Sequence, residues 1–180
     1  MKHILVGTNR KDSRSASVAK QVQEIHQSLG ETYEIINLQQ LPLHELPWGV
    51  YGEEIQHPQI KEAIEAINSS EGVVIICPEY NGSFPGALKY FIDYWKYPDA
   101  FEFRPFCLIG LGGRFGGLRP VEHLQQVLGY RNAHIYPQRV FIVNVWDQMD
   151  QEGRLTSQET LGLLKEQAKG FNRFIRKILL

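Results

Sequence analysis

Two runs in this chain are apolar without interruption: Val73, Val74, Ile75, Ile76 and Cys77, then Phe106, Cys107, Leu108 and Ile109. A strand with one wet face alternates apolar and polar side chains, so unbroken runs belong to parallel strands covered on both faces. The full strand candidates are Ile4 to Gly7, Tyr33 to Leu38, Gly72 to Pro78, Phe106 to Gly112 and Val140 to Trp146, with the third and fourth expected at the centre. Between them, apolar residues recur at helical spacing: Val18, Val22, Ile25 and Leu29; Ile60, Ala63, Ile64 and Ile67; Leu88, Phe91, Ile92 and Trp95; Leu118, Val121, Leu124 and Leu128. A last amphipathic stretch carries Leu161, Leu164, Ala168, Phe171, Ile175 and Ile178, and Thr156 with Glu159 three residues on predicts a capping box at its start. Pro58 sits where a first-turn proline is tolerated. Strands alternating with single helices, joined by right-handed crossovers, predict an α/β fold: an open, doubly wound parallel sheet with helices on both faces.

Length and charge narrow the partners. The 180 residues fit one domain, 1–180, which buries enough surface to need neither disulfide nor metal. Nineteen basic against twenty acidic residues give a net charge of −1, which argues against a nucleic-acid or membrane-surface binder. With no long apolar run, the chain is expected to be cytoplasmic. Cys77 and Cys107 lie inside apolar runs and read as reduced core thiols. The segment from Leu41 to Glu54 is the longest without periodicity, an ordered connection or a lid, with Trp48 and Tyr51 as candidate walls of a pocket or parts of a subunit contact.

In doubly wound sheets ligands bind beyond the carboxyl ends of the strands, so the loops after strands one, three and four carry the chemistry. The first runs Gly7, Thr8, Asn9, Arg10, Lys11, Asp12, Ser13, Arg14, Ser15, Ala16, Ser17: hydroxyls and cations beside a helix N-terminus, which suits a phosphate. A solvated polar turn with Ser13 or Ser15 as helix cap explains it equally well. Neither GxxxxGK[ST] nor GxGxxG is present, so any phosphate bound there points to a mononucleotide. The second loop, from Pro78 and Glu79 through Tyr80, Asn81, Gly82, Ser83 and Phe84 to Pro85 and Gly86, combines a rigid backbone with flat side chains, a surface for a planar heteroaromatic ring. The third, Gly110 to Gly117, holds five glycines in its eight residues, which permits close approach to a ligand or simple mobility.

Taken together, GTNRKDSRSASVA, PEYNGSFPGALKYFIDY and GGRFGGLRP resemble the NADPH-dependent FMN reductase family, flavodoxin-like proteins that include quinone, azo-dye and chromate reductases. The resemblance runs from Lys2 to the C-terminal helix. It implies a flavodoxin-like five-stranded sheet of order 2-1-3-4-5 that binds FMN. By position, Thr8, Arg10, Ser13, Ser15, Ala16 and Ser17 would hold the phosphate, Pro78, Glu79, Tyr80, Asn81 and Gly82 would line the isoalloxazine ring, and Gly112, Gly113, Arg114 and Gly116 would lie at its other edge. Ser15 stands where many relatives carry Asn, Thr8 where most carry Ser, and Tyr90 where Asn is common. The implied activity is an oxidoreductase in which NADPH or NADH reduces the flavin and a small acceptor (a flavin, quinone or azo compound) then takes the electrons. The flavin carries the reaction, so no catalytic side chain is nominated. A homodimer or homotetramer is implied as well.

Other readings compete. A flavodoxin-type electron carrier shares the fold, but its phosphate loop typically lacks arginines, whereas Arg10 and Arg14 stand here. A non-enzymatic FMN-binding protein would use the same loops. No metal site is expected: the six histidines show no ligand spacing, and Met149 interrupts the faint calcium-loop pattern of Asp147, Asp150 and Glu152.

Overall fold

The computed structural model describes residues 1–47 and 54–179. Four strands alternate with helices as expected: β1 (Lys2–Val6), α1 (Arg14–Ser28), β2 (Tyr33–Asn37), α2 (Pro58–Asn68), β3 (Val73–Pro78), α3 (Gly86–Ile92) and β4 (Pro105–Leu111). Then follow α4 (Leu118–Tyr130), β5 (His134–Ile135), β6 (Val140–Ile142) and α5 (Gln158–Ile178). The sheet runs β2-β1-β3-β4-β5, every pair parallel, with β6 continuing the edge beside β4. Every residue of β3 and β4 is buried. One apolar cluster joins that sheet face to α2, α3 and α4, and a second joins the other face to α1 and α5.

The fifth strand differs from expectation. It is broken into two short pieces by Tyr136 to Arg139, and Val143 to Trp146 has left the strand for a turn. Pro137 lacks the N–H a ladder needs, and α5 fills the gap: the buried Gln167 amide donates to Leu108 O at 3.1 Å and to Gln138 O at 2.8 Å. A second buried glutamine acts alike between α1 and the final loop. Gln21 accepts from Leu155 N–H (2.7 Å) and donates to Leu155 O (3.2 Å).

Helix starts follow local chemistry. Ser13 caps α1, accepting the Ala16 N–H at 3.3 Å, and Pro58 opens α2. For α5 the cap is Ser157, not Thr156. The Thr156 hydroxyl and N–H both donate to Gln148 O (3.2 and 2.8 Å), which leaves the Ser157 hydroxyl to accept from Thr160 N–H. Both cysteines are free and buried, and burial pushes their thiols up, away from thiolate chemistry.

The connection after β2 is anchored where it is described. Leu43 and Leu46 are buried, and the Tyr90 and Tyr94 hydroxyls of the α3 region donate to Pro47 O. Tyr94 and Tyr90, the latter a departure from the related pattern, thus pin this connection to the α3 segment; Trp48 and Tyr51 lie outside the described residues.

Candidate active site

The carboxyl ends of β1, β3 and β4 open into one cleft of about 130 Å³. From the first loop come Arg10, Asp12, Ser13, Arg14 and Ser15; from the second Pro78, Glu79 and Tyr80; from β4 and its loop Leu111 and Gly112. Val145 and Trp146, from the turn after β6, complete it.

Each wall has a local cause. Thr8 is buried beneath the cleft, where its hydroxyl accepts the Arg10 N–H (3.2 Å) and bonds the Tyr80 hydroxyl at 2.8 Å. That bond ties the first loop to the second, so Thr8 braces the cleft from below. In the second loop, Tyr80 and Ser83 exchange backbone hydrogen bonds of 2.8 and 3.1 Å around Asn81 (φ 50°) and Gly82 (φ 80°). Asn-Gly with both residues at positive φ is the I′ turn preference, so these two residues are accounted for by the turn. Phe84 packs against the core. Glu79 is mostly enclosed, its N–H bonded to Leu111 O at 3.2 Å and its carboxylate paired with Arg119 at 3.3 Å, whose guanidinium lies 4.3 Å from the Phe115 ring.

The glycine-rich loop is held by its own packing and backbone hydrogen bonds. It folds back on its own strand. At Gly117 (φ 81°) a Cβ would stand 2.6 Å from Leu111 N, and Gly116 (φ 57°) is buried against Phe141 and Val143. Gly112 alone among these glycines lines the cleft, its N–H bonded to Ile142 O at 3.3 Å.

Of the expected site residues, then, Arg10, Ser13, Ser15, Pro78, Glu79, Tyr80 and Gly112 meet in the cleft. Thr8 lies under it, Ala16 and Ser17 continue α1 behind it, and Ser17 packs toward the Gly153 turn. Asn81, Gly82, Gly113, Arg114 and Gly116 flank the cleft lining without joining it. Sequence reasoning did not place Asp12, Arg14 and Leu111 in the wall, and missed Val145 and Trp146 altogether. No pattern flagged the last two, because they read as the end of a strand. Among the described residues no three His, Cys, Asp or Glu side chains gather as a metal site.

Comparison with known proteins decides the family. NADPH-dependent FMN reductases match residues 3–148. The chain belongs to the NADPH-dependent FMN reductase family. Among curated relatives, the quinone reductase of Escherichia coli K12 is 32% identical over 179 residues, covering 97% of this chain and 94% of that protein. An NADPH azoreductase of Bacillus sp. strain OY1-2 is 31% identical over 142 residues, 77% of this chain and 74% of that one. In fold, the flavoenzyme NAD(P)H:(acceptor) oxidoreductase FerB of Paracoccus denitrificans superposes with a TM-score of 0.78 at 23% identity, covering 98% and 97% of the two chains. Membership makes this FMN reductase homologue an NAD(P)H-dependent oxidoreductase of flavodoxin-like fold. None of its described helices is long and apolar enough to cross a membrane.

Proposed function

We propose that this protein binds FMN in the cleft and uses it to pass electrons from NADPH or NADH to a small planar acceptor, a quinone, flavin or azo compound, the two substrates occupying the same space in turn. The observation that carries this reading is the convergence of an anion-binding helix start with the enclosed second loop and bare Gly112 backbone in one cleft. The residues fit the cofactor. The first turn of α1 holds no acidic side chain, Ser13, Arg14 and Ser15 at its start line the cleft, and Arg10 and Arg14 stand exposed beside it. Of the two carboxylates in the wall, Glu79 is already paired with Arg119.

Ser13, Ser15 and Arg10 would hold the phosphate, and Pro78, Glu79, Tyr80 and Gly112 would line the ring, with Thr8 keeping the two halves in register through Tyr80. Bound there, the flavin supplies the redox chemistry, taking a hydride from the nicotinamide and giving up electrons to the acceptor. The chain supplies position: rigid loops hold planar partners face to face and exclude water, and no side chain need gain or lose a proton. A cleft of about 130 Å³ encloses only part of such a ligand, since whole small-molecule pockets run to roughly 300–1,000 Å³. A second subunit completing it agrees with the exposed aromatic groove near α3 and α4, about 1070 Å³ and bordered by Tyr94, Tyr97 and Tyr130, as the contact surface of a homodimer or homotetramer.

The test is the visible spectrum of the purified protein, before and after anaerobic addition of NADPH. Flavin bands that bleach support the reading. Bands that persist identify a carrier reduced by another protein, and a colourless protein that takes up no added FMN refutes it.

A further inference from the structure

The fold does not explain Trp146. It sits in the turn Val145–Gln148 after β6 and is 50% exposed, although its neighbour Val145 is buried. The turn is clamped on every side. Asn144, at φ 45°, donates its N–H to Gly113 O (3.1 Å), and Val145 donates to Gly112 O (3.1 Å). Gln148 gives its amide to Val143 O (2.7 Å) and accepts the Thr160 hydroxyl (2.6 Å). Asparagine is among the few non-glycine residues that enter the left-handed region, so Asn144 fixes the reversal while the turn leaves a large apolar ring half in water. Neither helps the core.

Both make sense at the cleft. The indole stands against the glycine-rich loop, where a Cβ on Gly113 would lie 3.3 Å from Trp146 Cη2, and it shares the cleft wall with Arg10, Ser15, Glu79, Tyr80 and Gly112. We propose that Trp146 is a cofactor-contacting residue: its indole, carried on the clamped turn, forms the wall contributed by the β6 turn, touches the bound FMN and retains it by covering it from water. This rests on the FMN reading above. An aromatic face desolvates a flat or apolar ligand with less entropy loss than a long flexible side chain, and the clamped turn sets where that face is presented.

The experiment strips the flavin and titrates FMN into the apoproteins of the wild type, Trp146→Phe, Trp146→Leu and Trp146→Ala, following flavin fluorescence, with the thermal unfolding of each apoprotein measured alongside. The expected result is a Kd raised about tenfold or more in the Ala and Leu variants and within about threefold of wild type in the Phe variant, since roughly 1.4 kcal/mol of lost contact is one decade in Kd. Apoprotein melting should be unchanged, because the side chain is half-exposed. Equal Kd values across all four proteins overturn the inference while leaving the FMN reading standing. A loss of binding that tracks a loss of apoprotein stability also overturns it, assigning Trp146 a structural role. A wild type that takes up no FMN defeats the FMN reading itself, and the inference with it.

Discussion

Replacing His26 by phenylalanine should flatten the loss of stability that this protein suffers between pH 8 and pH 5. His26 lies in the last turn of α1, 1% exposed, stacked on Tyr33 with ring centroids 3.9 Å apart; its Nδ1 has no hydrogen-bond partner among the described residues. Burial, reinforced by the nearby Lys2 ammonium, brings its pKa down from 6.5 to about 4. The folded value is the lower one, so the unfolded chain takes up the proton first. The neutral ring's contribution is therefore complete above pH 6.5 and lost as pH falls toward 4. The whole shift corresponds to about 3.4 kcal/mol at about 1.36 kcal/mol per unit, of which about 2 kcal/mol is gone by pH 5. His3, also lowered chiefly by burial, acts in the same direction but remains in both proteins and cancels in the comparison. Phenylalanine keeps the ring against Tyr33 and has nothing to protonate. Urea unfolding of both proteins at pH 8 and pH 5, in the same state of flavin loading, should show the wild type losing about 2 kcal/mol more than the variant across that interval. Parallel losses would refute the reasoning, and would mean that His26 is either charged in the folded state or hydrated.

The remaining predictions address the cleft and its frame. Arg10→Ala with Ser15→Ala should weaken FMN binding by about a hundredfold, as expected for losing one charged and one neutral phosphate contact, while far-ultraviolet circular dichroism stays unchanged. Full flavin retention in that double variant would remove the phosphate from the first loop. Gly117→Ala should destabilise by about 3 kcal/mol or more, since it combines left-handed strain with a Cβ forced to 2.6 Å from Leu111 N. Gly162→Ala, in α5 with nothing within 4 Å of the new carbon, should instead stabilise by about 0.5–1 kcal/mol, so the pair of melting temperatures separates the two causes.

What the sequence made legible was whatever rests on periodicity. The unbroken runs at Val73 and Phe106 placed β3 and β4 inside the sheet, and helical spacing placed all five helices, because burial on both faces and on one stripe leaves distinct patterns. The edge was another matter. Val140 to Trp146 contains six apolar residues in seven, yet only Val140–Ile142 pairs with β4. Nothing local shows that Gln167, a quarter of a hundred residues further on, supplies the hydrogen bond that a continuous strand would have made. Thr156 misled for a similar reason: its capping group was already engaged by Gln148, a contact invisible to spacing.

The same limit explains why seven of the fifteen expected site residues meet in the cleft and the others do not line it. Motif positions do not distinguish a residue that lines a ligand site from one that builds the backbone around it, because both are held by the same turn. Asn81 and Gly82 make the reversal that aims Tyr80; Gly116 and Gly117 let the loop after β4 fold onto its strand; Thr8 holds Tyr80 from below. Trp146 is the converse, a wall residue outside all three motifs, brought in by two backbone bonds from Asn144 and Val145 to Gly113 and Gly112. Those bonds couple the turn after β6 to the loop after β4. A substitution that shifts one must move the other, so Trp146 and Gly112 respond together even though more than thirty positions separate them in the chain.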